Sequence, residues 1–323
     1  MALLTRATTI AATLCLLFSL PSHSSESLQL SAKARAGIAQ QSNVNISELE
    51  QASGRSDSAV LLEAEVDATW QASTALQFTS GYSVQDTQYQ HSADFNTRLH
   101  LGYLDASYQL GDSRIGANVY YALAELDSSR FLTLQQASLY SMHGLTPSWY
   151  IRPALTAGKK QFSQFSQRDA DTLNVSADSF WFFANGQRFI AFGLTYHDED
   201  SLDNAFSYTA PGVKLKLSSS YTLWHLDQQL QFSVKVSQRD YANVADNTVT
   251  NTDSDGFSNL NKKPNTTSPS RTDTHTQLAA NWQLAINSHF AVITAIEHGD
   301  FSSSLDSADY RDTRSSVSLQ LSF

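Results

Sequence analysis

The sequence predicts an all-β chain closed into an antiparallel up-and-down transmembrane β-barrel of about 14 strands, with 12 and 16 as the neighbouring even solutions. Three observations carry that expectation. A short apolar leader is followed by no run of about 18 apolar residues, so helices cannot cross a bilayer. Many stretches alternate apolar and polar side chains with a period of two, which sends the two sets to opposite faces of a sheet. The chain ends on such a stretch: Val317, Leu319, Leu321 and Phe323 alternate with Ser316, Ser318, Gln320 and Ser322.

Residues 1–24 read as an export signal removed by cleavage, leaving 25–323 as the barrel. Arg6 gives the positive start, Ile10 to Leu20 the apolar stretch, and Ser22-His23-Ser24 the small residues before the cut. Cys15, the one cysteine, lies inside the apolar stretch, so the exported chain is expected to hold no disulfide and no thiolate metal site. The first strand follows the cut within a few residues. The formal net charge of −10 becomes about −11 once Arg6 is lost, which argues against nucleic acid as a partner.

Along the chain, strands are predicted near 27–40, 58–70, 75–88, 95–110, 113–124, 130–142, 148–160, 171–184, 188–199, 206–218, 226–240, 272–285, 289–298 and 312–323. The first two are the clearest. Leu28, Leu30, Ala32, Ala34, Ala36 and Ile38 share one face, as do Val60, Leu62, Ala64, Val66, Ala68 and Trp70. Similar stripes recur at Leu76, Phe78, Tyr82 and Val84, at Ile115 to Leu123, and at Leu230 to Val236. In the fourth strand the apolar parity jumps from Leu99, Leu101 and Tyr103 to Leu104, Ala106 and Tyr108, which predicts a β-bulge near Gly102. A soluble sandwich would cover its outer face with Lys and Glu. Here only 16% of residues are charged, and the polar faces are Gln, Ser, Thr and Asn.

Connections alternate in length. Gly111-Asp112, Asn185-Gly186-Gln187 and Ile286-Asn287-Ser288 are tight, whereas Gln41 to Asp57, Gln161 to Ala170, Asp200 to Ala205 and Tyr241 to Arg271 are long and polar. An even strand count places both ends of the barrel on the short-turn side.

The terminal pattern Val317, Leu319, Leu321, Phe323 resembles the C-terminal signal of Gram-negative outer-membrane barrels. That resemblance implies insertion into the outer membrane by the barrel-insertion machinery, with outer-membrane lipid against the apolar stripes.

If those stripes face lipid, the other parity faces a lumen. Lys33 and Arg35 would then point inward from the first strand, and Glu63, Glu65 and Asp67 from the second. Lys214, Lys216, Lys235 and Arg239 would form a basic wall roughly across from that acidic one, with Arg152 and Lys160 on a further inward face. Opposed walls set ion selectivity in water-filled barrels. Lys33 or Arg35 paired with Glu63 or Glu65 on the neighbouring strand is the structural alternative. The expected function is passive passage of small hydrophilic solutes, the alternatives being surface delivery or a plugged structural or adhesive barrel.

Asn251-x-Asp253-x-Asp255-Gly256 resembles the start of a calcium loop, but Lys262 stands where a bidentate Glu belongs, leaving only a weak calcium candidate and no firm metal site. No cofactor is expected. Gly-x-Ser-x-Gly and His-Glu-x-x-His are absent, so no enzyme is predicted, although His91, His100, His143, His197, His225, His275, His289 and His298 leave room for cross-strand His and Ser or Asp pairs.

Two passages look alike: Gln167-Arg168-Asp169-Ala170-Asp171, entering a strand, and Ser237-Gln238-Arg239-Asp240-Tyr241, leaving one. With about 14 strands they resemble the barrel domain of surface lipoprotein assembly modifiers. The resemblance implies a role in delivering surface lipoproteins. With no room before the first strand for the helical domain such modifiers carry, a barrel-only relative is expected.

Overall fold

A computed structural model describes residues 28–241 and 271–323. Fourteen strands close into one antiparallel barrel: β1 (Leu28–Gln41), β4 (Asp57–Gln71), β5 (Leu76–Tyr89), β6 (Thr97–Leu110), β7 (Ser113–Leu126), β8 (Ser129–Thr146), β9 (Trp149–Phe162), β10 (Ala170–Phe183), β11 (Arg188–Ser201), β12 (Tyr208–Leu223), β13 (Leu226–Tyr241), β14 (Thr272–Ala285), β15 (Phe290–Ser303) and β16 (Tyr310–Ser322). A miniature hairpin, β2 (Asn45–Ile46) with β3 (Gln51–Ala52), lies in the first long loop. Each strand pairs with its sequence neighbour, and β1 closes the ring by pairing with both β4 and β16. Closure leaves no strand edge unpaired against lipid.

Registers put the aliphatic stripes on the outside. Ile38 stands beside Val60 and Val317, and Val175 beside Leu155 and Tyr196. Val60, Val66, Leu139, Leu155, Val175, Leu194 and Val317 are all exposed. Such a surface is stable only in hydrocarbon. Outward aromatics gather next to the short turns, with Trp70 stacked on Phe78 and Trp149 on Trp181 at ring separations of 5.6 and 5.7 Å. They mark the periplasmic interface of the membrane.

The expected bulge at Gly102 is not there. β6 pairs in unbroken register with both β5 and β7. Leu99, Leu101 and Tyr103 are simply inward-facing, while Arg98 points outward and reaches Asp86 at 2.6 Å and Glu125 at 3.8 Å. The parity jump marks the height at which the wall leaves hydrocarbon. Register shifts occur instead at Ala124/Glu125 and at Gly144/Thr146. The same boundary explains why β15 runs to Ser303 rather than stopping near 298: beyond Ile296 its outward residues are polar. One connection on the long-loop side is tight, Asp127-Ser128, both with positive φ as a two-residue hairpin turn requires.

Inside the barrel a cross-strand device recurs. Tyr103 on β6 lies over Gly81 on β5 to reach Asp67 on β4 at 2.7 Å, Tyr140 lies over Gly116 to reach Asp105 at 3.0 Å, and Lys214 crosses Gly193 to Asp178 at 2.8 Å. In each, the glycine leaves the space the crossing side chain occupies.

Candidate functional site

The loop between β1 and β4, residues 42–56, crosses the extracellular mouth of the barrel. Its base is tied to β16: Asp312 accepts from Gln41 Nε2 at 2.6 Å, the Asn43 amide at 3.1 Å and Asn45 Nδ2 at 3.1 Å. Val44 is fully buried, and its backbone closes the small hairpin with Arg55 and Ser53. Farther out, Ile46 and Leu49 pack with Phe131, Phe162 and Phe165, from β8, β9 and the loop after β9, on the far side of the ring. Apolar side chains thus fasten the loop across the opening.

At its tip Glu50 meets three arginines from three other segments. Arg271 Nη2 donates to Oε2 at 2.9 Å, Arg239 Nη1 to Oε1 at 3.2 Å, and Arg168 lies 3.7 Å from Oε2 while donating to the Glu48 carbonyl at 3.2 Å. The Tyr241 hydroxyl also donates to Oε1. Each guanidinium rests on an aromatic ring: Arg168 on Phe206 at 4.1 Å, Arg239 on Tyr208 at 4.7 Å and Arg271 on Tyr241 at 4.1 Å. Asp273, with no exposed surface, holds Arg271 through Nε at 3.1 Å and Nη2. Glu50 has a left-handed backbone, φ 55° and ψ 39°, which costs a non-glycine residue about 1–2 kcal/mol. The surrounding contacts hold it there.

Burial alone would raise the Glu50 carboxyl. The Tyr241 hydrogen bond and the Arg271 and Arg168 charges outweigh that and hold it below its ordinary value of 4.5. A carboxyl depressed on docking stabilises the docked loop above the ordinary carboxylate range, and that contribution is lost as pH falls through the depressed value. A fluorophore attached at Ser53→Cys should therefore report a docked loop from neutral pH down past 4.5, with release only in more acid solution. Release centred above 4.5 would mean that another group controls docking.

The charges for which the sequence predicts an inward face mostly find partners within two strands. Arg35 pairs with Glu63 at 3.0 Å, Lys33 with Glu65 at 3.5 Å, and Asp67 accepts from Tyr103. Lys160 binds Glu199 at 2.5 Å, and Glu199 also accepts from Tyr208 at 2.9 Å. Arg152 lies over the Tyr140 ring at 4.6 Å. Lys216 and Lys235 stand on inward positions of β12 and β13 beside Ala191 and Lys214. Below the loop the lumen holds cavities of about 490 and 280 Å³, the first lined by Tyr89, Lys235, Glu297, Asp312 and Arg314 among others. Asn251, Asp253, Asp255 and Lys262, like the leader, lie outside the described residues.

Of the cross-strand histidine pairs, His143 hydrogen-bonds Ser113 Oγ at 2.8 Å and Ser141 Oγ at 3.0 Å. Both ring nitrogens are taken by hydroxyls, so no carboxylate orients this ring for base catalysis.

No motif or periodicity in the sequence singles out Glu50. The available signal was Val44, Ile46 and Leu49 in an otherwise polar loop, where apolar side chains need somewhere to be buried. Arg168 and Arg239, by contrast, are the arginines of the two look-alike passages, and the fold brings both to one carboxylate.

The family described as surface lipoprotein assembly modifier matches residues 29–279, a span that holds Glu50 and all three of its arginines. The chain belongs to that family. As a closed barrel of this family it resides in the outer membrane. No match is found among curated proteins. Solved structures that it resembles include an anion-selective porin from Comamonas acidovorans (9% identity, covering 92% of this chain and 99% of that one, TM-score 0.49). A bacterial polysaccharide outer-membrane secretin has 12% identity, 90% and 97% coverage and TM-score 0.47. OmpT of Vibrio cholerae has 8% identity, 92% and 100% coverage and TM-score 0.47.

Proposed function

We propose that this family member is a surface-delivery barrel, which helps lipoproteins reach the outer face of the outer membrane, and that loop 42–56 keeps its mouth covered at rest. The observation that carries this reading is the latch: one buried carboxylate gripped by arginines from three separate segments. Apolar packing and ion pairs together fasten the loop across the mouth, which suits a delivery device that must not leak between substrates. The test is surface exposure of lipoproteins on intact cells, read by protease shaving, with and without the protein. Exposure should fall in its absence and return with the intact chain. Unchanged exposure would remove this reading.

Passage of small hydrophilic solutes is the second reading, favoured by the polar cavities below the loop. Liposome swelling with sugars of graded size separates the two. If the lumen conducts past β4, changing Glu63, Glu65 and Asp67 to Lys turns two neutralised pairs into a cationic patch with Lys33 and Arg35. The reversal potential in a salt gradient should then move toward anions. An unmoved potential in a conducting barrel would take those side chains off the path.

A further inference from the structure

We propose that the pocket formed by Arg168, Arg239 and Arg271 is a binding site for the carboxylate of an acidic peptide segment, and that Glu50 occupies it in cis until such a ligand displaces it. The inference goes beyond the delivery reading, because the site stands whatever passes through the barrel. Three features distinguish it from an ordinary ion pair. Guanidinium groups from three segments converge on one carboxylate, with Arg239 on Oε1 and Arg168 and Arg271 on Oε2, and the Tyr241 hydroxyl completes the first oxygen. Each arginine is braced on an aromatic ring, which fixes its plane before anything binds. Arg168 and Arg239 have, among the described residues, no carboxylate ion pair other than Glu50. Removing Glu50 therefore leaves an assembled site of uncompensated positive charge rather than a collapsed one.

The shape favours a carboxylate over a larger anion, since two oxygens already satisfy the donors. The strained backbone of Glu50 favours exchange, because the loop relaxes when it leaves while an incoming side chain brings its own oxygens without that strain. Substrate and loop would compete for the same donors.

The test uses the full chain in nanodiscs, with a fluorescent poly-glutamate peptide as probe, poly-glutamine as neutral control, and inorganic phosphate and free glutamate as competitors. Glu50→Ala should bind poly-glutamate at least tenfold more tightly than the wild type. Adding Arg239→Gln to Glu50→Ala should remove at least tenfold of that affinity. Glu50→Gln, which keeps the side-chain shape, gives the same comparison if the alanine variant fails to fold, and heat-modifiable gel mobility verifies the barrel in each case. Equal affinity of the wild type and both Glu50 variants, or equal binding of poly-glutamine, would overturn the proposal. So would phosphate displacing the peptide more effectively than free glutamate, which would make this a phosphate site.

Discussion

Glu50→Ala is expected to release loop 42–56 from the barrel mouth and to raise trypsin cleavage after Arg55 by more than about tenfold. The side chain removed is only 10% exposed and is the shared partner of three guanidinium groups. Taking one member from a buried ion pair costs about 3–5 kcal/mol, because the charges left behind remain desolvated without compensation. That corresponds to more than a hundredfold in the ratio of docked to released loop. Part of the loss is offset by relief of the left-handed backbone at position 50 and by the surviving packing of Ile46 and Leu49 on Phe131 and Phe162, so the readable effect is smaller. Cleavage slower than reclosing follows the released population, which is what the assay needs. A cleavage rate equal to that of the wild type would show that apolar packing alone seats the loop. Single-channel conductance in the same variant asks whether the loop also obstructs the path.

Gly81→Val should lower the temperature at which the barrel loses its folded gel mobility, and Tyr103→Ala in the same chain should restore most of the loss. A Cβ at position 81 would stand 2.2 Å from Asp67 Oδ1 and 2.3 Å from Tyr103 Cε1, closer than atoms approach. Both neighbours are committed, since the tyrosine hydroxyl donates to that aspartate at 2.7 Å. Overpacking costs about 1–3 kcal/mol, and separating a hydrogen-bonded pair inside the barrel adds about 1–3 kcal/mol. Removing the tyrosine ring frees the larger part of the space and releases Asp67 from its hydrogen bond to turn aside, so the double variant should be more stable than Gly81→Val alone. If Tyr103→Ala instead deepened the loss, the crossing tyrosine would not be the source of the clash. Gly193, whose Cβ would lie 2.2 Å from Lys214 Cε and 2.4 Å from Asp178 Oδ1, should behave in the same way.

The fourteen strands were legible because lipid imposes a simple rule. Every second residue of a strand faces hydrocarbon, so Ile38, Val60, Val119, Val175 and Val317 had to be apolar, and their period is visible without any partner in view. The rule fails where the wall leaves the membrane. Gly102 looked like a bulge because Leu99 and Leu101 face inward there while Arg98 faces out toward Asp86 and Glu125. The end of β15 ran past the predicted limit for the same reason. Lys33, Arg35, Glu63, Glu65 and Asp67 sit on the parity opposite the lipid stripe, where the first four form ion pairs between β1 and β4.

Local periodicity, acting through the need to bury aliphatic groups in lipid and to satisfy every backbone donor within a closed sheet, determined the barrel, an even strand count near fourteen and the residues that face lipid. Only the tertiary structure decided what those inward side chains do. Glu50 lies 118 residues from Arg168 and 221 from Arg271 along the chain, yet ring closure brings them to one point. Charges so far apart in sequence carry no periodic signal, and their meeting depends on which strand ends surround the mouth and on the apolar contacts that draw one loop across it.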